Sequence, residues 1–233
     1  NTGLGIDIGS GNNLSLTFNN ALIFKNTGGA GIISNGPITL SNLSVIGNGE
    51  LSEYDAEGFT ITESGILSIT ESNIFNNGWG ISNSNNSSIP QAEYNYWGYL
   101  SGPYHPSQNP TGQGDSTNAF VNVTPWLTTP NTDAPPIPAQ NTTVTGTGND
   151  FISLDWNASE IGDLAGYKLY YDSDESGYPY ANSIDIGTDT SYTLSNLLLG
   201  TTYYLAVTTY DTDGNESWYS NEITGVTRIM QAQ

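Results

Sequence analysis

Carboxylates dominate the chemistry open to this chain, which carries 23 Asp and Glu against 3 Lys and Arg, one His and no Cys. Oxygen ligands at short spacing hold calcium, and Asp211-x-Asp213-Gly214-Asn215-Glu216 begins like a calcium loop. Glu216 stands where that pattern wants Gly, and no Glu closes the loop at the twelfth place. Two carboxylates about 5–9 Å apart hydrolyse glycosides. Glu63 and Glu71 flank one strand-like run, but they read as solvated side chains, and no Asp recurs at equivalent places. His105, in Pro103-Tyr104-His105-Pro106, has no Asp or Ser constellation around it and reads as structural. Gly3-x-Gly5 and Gly28-Gly29-x-Gly31 lack the Lys and the following helix of a phosphate loop. Without Cys there are no disulfides, no thiolate zinc site and no cysteine catalysis.

Composition narrows the partners further. The net charge is −20, so a nucleic-acid backbone is excluded as a ligand and an anionic membrane surface repels the chain. No apolar stretch approaches the roughly 20 residues of a membrane helix. Aromatic residues make up 11 % of the chain, too many for a disordered acidic tail, so the acidity belongs to a folded surface. Net charge of this kind keeps a secreted or cell-surface protein soluble in salty surroundings. The start Asn1-Thr2-Gly3, without Met, reads as the interior of something longer.

The elements that must position these groups are short strands. Apolar and aromatic runs are broken by Gly, Asn and Ser, with no sustained helical period, so both halves are expected to be all-β. Residues 128–137 form a Pro-rich stretch and are expected to be a stiff linker. Before it, a pattern repeats. Leu16-x-Phe18 leads to Asn26, Ile38-x-Leu40 to Asn48, and Leu67-x-Ile69 to Asn77, with a degenerate copy from Ile89 to Tyr96-Trp97. Such a period means stacked strands that bury a shared core. Leu16, Ile38, Leu67 and Ile89 should form one column. Asn26, Asn48 and Asn77 should form a ladder at a turn, where Asn tolerates left-handed backbone and its amide bonds the next layer.

Residues 1–127 resemble the secreted right-handed parallel β-helix repeat proteins with pectate-lyase-like folds. The likeness rests on those three repeats, on Asn95-Tyr96-Trp97-Gly98 and Ser101-Gly102-Pro103, and on Val123-Thr124-Pro125-Trp126-Leu127. It implies a solenoid closed at its C-terminal end by Tyr96, Trp97, Tyr104 and Trp126, with an open N-terminal end at Leu4, Ile6 and Ile8. That end is a candidate assembly interface. A lyase of this kind typically draws on Lys or Arg, and this half offers only Lys25.

Residues 138–229 resemble a fibronectin type III domain, an immunoglobulin-like β-sandwich. The likeness rests on Leu154-x-Trp156, on Gly166-Tyr167-x-Leu169-Tyr170-Tyr171, and on Leu197-x-x-Gly200-Thr201-x-Tyr203-x-Leu205-x-Val207, which looks like a tyrosine corner. In that topology Asp163 meets Asp211 and Asp213 at one pole, where two readings stand open: the three share a Ca²⁺, or they cap turns through their own backbone. Trp218, Tyr219, Tyr178 and Tyr180 offer flat faces that stack on sugars or on another protein, or that pack on the neighbouring strand.

The function expected is a non-catalytic extracellular structural or adhesive protein, either a surface stalk or a self-assembling filament. Its partners would be further copies, other cell-surface proteins or glycans. The alternative is a carbohydrate-binding or polysaccharide-processing β-helix fragment, a lyase or glycoside hydrolase whose active strands lie upstream.

Overall fold

The computed structural model describes residues 6–8, 15–26, 30–32, 37–49, 57–61, 67–159 and 162–228. The described residues are all-β, with no helix. They fall into two compact units, residues 1–135 and 136–233.

Ten strands lead the first unit. They are β1 (Ile6–Ile8), β2 (Leu16–Asn19), β3 (Leu22–Phe24), β4 (Ala30–Ile32), β5 (Ile38–Ser41), β6 (Ser44–Ile46), β7 (Glu57–Ile61), β8 (Leu67–Thr70), β9 (Asn73–Phe75) and β10 (Trp79–Asn83). Each strand is too short to be stable alone. Each of β1–β7 pairs in parallel with the strand three elements on, giving the sheets β1-β4-β7-β10, β2-β5-β8 and β3-β6-β9. Leu16 faces Ile38, and Ile38 faces Leu67. Phe18, Leu40 and Ile69 line up in the same way. In the third sheet Ile23, Val45 and Ile74 align. These side chains form one apolar core, in which Val45, Ile69 and Ile74 are fully buried. Full burial of such a side chain contributes about 1.5–3 kcal/mol, and it is available only because the next repeat covers it.

The fourth copy departs from the expected column. Ile89 is 53 % exposed. Gln91 instead pairs with Ser68, which brings the buried Pro90 and Ala92 into line with Leu67 and Ile69. A shift of one residue exchanges the two faces of a strand, so Ile89 points outward. Gln91 in turn pairs with Asn122, and the buried Val121 and Val123 extend the core by a further layer.

Two kinds of corner join the strands. Asn20, Asn42, Glu71 and Tyr94 adopt positive φ at one corner, and Lys25, Gly47 and Asn76 at the other. The ladder residues Asn26, Asn48 and Asn77 directly follow that second group, so the left-handed backbone sits one residue before each of them. The side-chain ladder itself is present. Asn48 Oδ1 accepts from the backbone N and Nδ2 of Asn26, at 3.0 and 3.1 Å. Asn77 Oδ1 accepts the same pair from Asn48, at 3.0 and 2.9 Å. The series ends on an acid: Asp115 Oδ2 accepts from Asn77 N and Nδ2, at 3.1 and 2.8 Å. Asp115 follows β11 (Pro103–Tyr104) and lies in β12 (Gly114–Ser116), which pair in parallel.

Trp97 is fully buried at the end of this core and Trp126 packs beside it. Gly102, at φ +74°, lies under Trp126, and a Cβ there would meet the indole at 2.4 Å. Only Gly meets both demands. Tyr96 packs edge-on to Phe75, whereas Tyr104, expected in the plug, is 41 % exposed. The Pro-rich stretch expected to be a linker is bound to this unit as far as Pro135. Asn131 exchanges bonds with the Asn73 side chain, at 2.8 and 2.9 Å, and Ser44 Oγ donates to Pro135 O.

The second unit is a β-sandwich. One sheet is antiparallel β13 (Gln140–Thr147), β14 (Phe151–Asn157) and β17 (Ser191–Ser195). The other has the order β16 (Asn182–Gly187), β15 (Leu164–Asp172), β18 (Thr202–Asp211) and β19 (Ile223–Val226). Alternate residues Ile152, Leu154 and Trp156 of β14 meet Tyr167, Leu169, Tyr203, Leu205 and Val207 in the core. Tyr203 OH accepts from Leu198 N at 3.0 Å, closing the expected tyrosine corner.

Burial raises the Asp115 carboxyl from 3.8 to about 7, and the bonds from Asn77 only partly oppose this. The folded chain therefore holds the proton more tightly than the unfolded chain. The resulting stability is fully present below about pH 4 and is lost as pH rises through 7, by up to about 4 kcal/mol. In thermal melts from pH 5 to 8 the first unit should lose stability as pH rises. Asp115→Asn, which keeps the acceptor, should flatten that dependence and raise the midpoint at pH 8. An unchanged slope in Asp115→Asn would refute the assignment.

Candidate functional site

Alternation along β15 and β18 sends Leu169 and Val207 into the core and Lys168, Tyr170 and Thr208 to the outer face of the sheet. The chain between β18 and β19 then folds back beside β18. Ser217 N donates to Thr209 O at 2.9 Å, and Ser220 N donates to Val207 O at 3.0 Å. This return lays Glu216, Trp218 and Tyr219 next to Tyr170. The connection from β15 to β16 adds Tyr178 and Tyr180.

Five rings meet there. Tyr219 lies 5.0 Å from Tyr170, 5.2 Å from Tyr180 and 5.3 Å from Trp218, all near-perpendicular. Tyr178 stands 4.8 Å from Trp218 at 77°. Edge-to-face pairs of this kind are favourable beyond the area they bury. The inner rings are held in the sheet, while Tyr178 and Trp218 remain 63 % and 57 % exposed.

Carboxylates lock the phenols. Glu216 Oε1 accepts from Tyr170 OH and Thr208 Oγ1, both at 2.7 Å, and Glu216 Oε2 pairs with Lys168. Glu222 Oε2 accepts from Tyr180 OH at 2.8 Å and Gly177 N at 2.6 Å. Tyr210 OH donates to both oxygens of Asp185. Burial, reinforced by these carboxylates, pushes the Tyr170 and Tyr180 hydroxyls well above the usual phenol range. Burial works against ionisation of Glu216, but its bonds from Lys168, Thr208 and Tyr170 outweigh that and hold it below the usual carboxyl range. Lys168 Nζ also lies 5.3 Å from the Tyr210 ring centroid, a cation–π distance.

The other expected sites resolve differently. Asp163 and Asp211 do come together, through Thr212 N donating to Asp163 O. The Asp211 carboxylate is used by its own turn, however, accepting from Asp213 N, Asn215 N and Asn215 Nδ2 at 2.7–3.0 Å. Among the described residues no three His, Cys, Asp or Glu side chains are placed to hold a metal. The Asp211 carboxylate thus caps its own turn, the other role the sequence left open to it. Of the expected assembly interface, Leu4 lies outside the described residues, and Ile6 and Ile8 are described only as the β1 backbone that pairs with β4. Glu63 also lies outside the described residues. Lys25 sits over the Phe24 ring at 5.3 Å. His105 is fully buried. Its Nδ1 accepts from Ser107 N and Gln108 N, so Nε2 carries the proton and donates to Val121 O.

Sequence reasoning reached Trp218, Tyr219, Tyr178 and Tyr180 but missed Tyr170, Glu216, Glu222 and Asp115. Period-two alternation in Tyr167-x-Leu169-Tyr170 carries the signal for Tyr170. The carboxylates gave none, because the partners that define the site lie 38–48 residues away.

Residues 135–226 match the family model of the fibronectin type III domain. They form a fibronectin type III domain. A Kelch domain-containing protein of Saccharolobus solfataricus is 34 % identical over 83 residues, which are 36 % of this chain and 11 % of that protein's length. The chain is thus similar to only a small part of that relative. Among solved structures, the fibronectin type III domain of human fibronectin type III domain-containing protein 3 is 28 % identical. It covers 42 % of this chain and 90 % of its own, with a TM-score of 0.35. The fn3 domain of human contactin 1 is 20 % identical, covering 42 % and 82 %, with a TM-score of 0.38.

Glu216→Gln should bring the Tyr170 hydroxyl down toward the ordinary phenol range. A spectrophotometric titration against a Tyr170→Phe reference reads that shift, and a stability loss of about 1 kcal/mol should accompany it. An unmoved Tyr170 titration would contradict the network.

Proposed function

We propose that this chain is a non-catalytic, extracellular structural or adhesive protein. In this reading residues 1–127 form a right-handed parallel β-helix that acts as a stiff support, and the fibronectin type III domain carries the binding surface. In-register parallel pairing supports the helix, and parallel crossovers are right-handed in nearly all proteins. Fibronectin type III domains recur in extracellular and adhesive proteins, which agrees with the strongly acidic composition.

One observation carries the binding reading. Among the described residues, three groups open to chemistry are committed to structure: His105 to backbone, Asp211 to its turn and Asp115 to the Asn ladder. The outer face of the sandwich instead gathers exposed rings and carboxylates, which suits recognition. Like charge at −20 opposes close association of two copies, so the partner is a different molecule.

Incubation of the chain with pectic and neutral polysaccharides, read by reducing-end release, should show no cleavage. Sustained release by the purified chain would overturn the non-catalytic reading in favour of a polysaccharide-processing fragment.

A further inference from the structure

We propose that the outer face of the fibronectin type III domain binds an arginine- or lysine-bearing segment of a partner protein, seated at Trp218, Tyr178 and Glu222. The proposal deepens the binding reading above and rests on it.

The face already holds one cation in this manner. Lys168 Nζ pairs with Glu216 and lies over the Tyr210 ring, so a carboxylate and a phenol ring jointly hold an amine. The same chemistry recurs at the exposed edge. Glu222 Oε2 accepts from Tyr180 OH and from Gly177 N, the residue before Tyr178. Among the described residues Glu222 Oε1 has no hydrogen bond and is left to accept one. Tyr178 follows the bonded Gly177 in the chain and forms a near-perpendicular exposed pair with Trp218. Ring faces are electron-rich and attract cations, Trp most strongly. A phenol that donates to a carboxylate gains further electron density, and Tyr180, Tyr170 and Tyr210 all do so.

Charge selects among occupants. Residues 133–233 carry 14 acidic and 2 basic side chains, hence −12. One of the two basic residues, Lys168, is already paired with Glu216. A second copy of this chain or an acidic polysaccharide would meet repulsion. A basic segment gains from both the rings and the surrounding carboxylates, and Arg gains most because its planar guanidinium stacks on a ring while its fork meets a carboxylate.

The test titrates the full chain with an acetylated, amidated tri-arginine peptide at 150 mM NaCl, by calorimetry. A tri-glutamine peptide and a neutral hexasaccharide serve as comparison ligands. The peptide should bind, and both comparison ligands should fail. Trp218→Ala and Tyr178→Ala, which leave the net charge unchanged and alter exposed rings, should each weaken binding about tenfold. Glu222→Gln should weaken it similarly. Asp150→Asn, which removes one charge in the turn between β13 and β14, should change it less than about twofold. Binding that is indifferent to Trp218 and Tyr178 would mean bulk charge alone and would overturn the proposal. Selective binding of the hexasaccharide would overturn it in favour of a glycan. Either result leaves the non-catalytic reading standing, because that reading fails only on cleavage.

Discussion

Everything in the first unit depends on like residues meeting like across parallel strands. A repeat of three short strands cannot satisfy its own backbone or cover its own apolar side chains. The neighbouring repeat does both, through in-register backbone bonds and through the Leu16–Ile38–Leu67 and Ile23–Val45–Ile74 columns. The corners impose the strictest condition. There the chain leaves the sheets and its N–H groups need other partners. One Asn side chain per repeat supplies them, since its oxygen accepts two bonds from one neighbouring Asn while its nitrogen donates to the next. A slip of one residue would break the ladder and expose the core together, so the two features enforce a common register.

The ladder also explains why an acid stands half-buried at its end. At the last step the acceptor has only to accept, so a carboxyl can replace an amide there. Asp115 does this where desolvation makes ionisation costly, and it couples the stability of the stack to pH. The sandwich handles acidity in the opposite way. Glu216 and Asp185 are held below the usual carboxyl range at the surface by hydroxyl, amine and amide donors, and Glu222 accepts from a hydroxyl and an amide there. The same bonds fix the phenols, so the aromatic cluster is orderly although two of its rings face water.

Much of this was legible in the sequence because it obeys short periods. The three apolar pairs and the three Asn residues declared the stacking, and Tyr203, Leu205, Val207 and Trp156 declared the sandwich core. Where the period broke, the reading slipped. The fourth copy begins with an apolar residue, Ile89, in the expected place, but Pro90 and Ala92 take the buried positions. Val121 and Val123 sit beyond a long excursion and gave no repeat signal. Asp115 lies 38 residues beyond Asn77 and differs in type, so no pattern joined it to the ladder. At Asp211 the sequence left a metal and a turn cap both open, because short acidic spacings serve either, and the carboxylate caps its turn. The face built by Tyr170, Glu216 and Tyr219 depends on a returning loop, which no local pattern specifies.

The register itself is open to direct measurement. The chain has no Cys, so paired substitutions report without background. Thr17 and Thr39 are exposed and directly opposed in β2 and β5. Adjacent strands place such Cα atoms about 4.8 Å apart, within disulfide reach. Thr17→Cys with Thr39→Cys should crosslink readily under mild oxidation. Thr17→Cys with Ser41→Cys, on the same face but two residues out of step, should not. Equal crosslinking of both pairs, or of neither, would contradict the stacked arrangement.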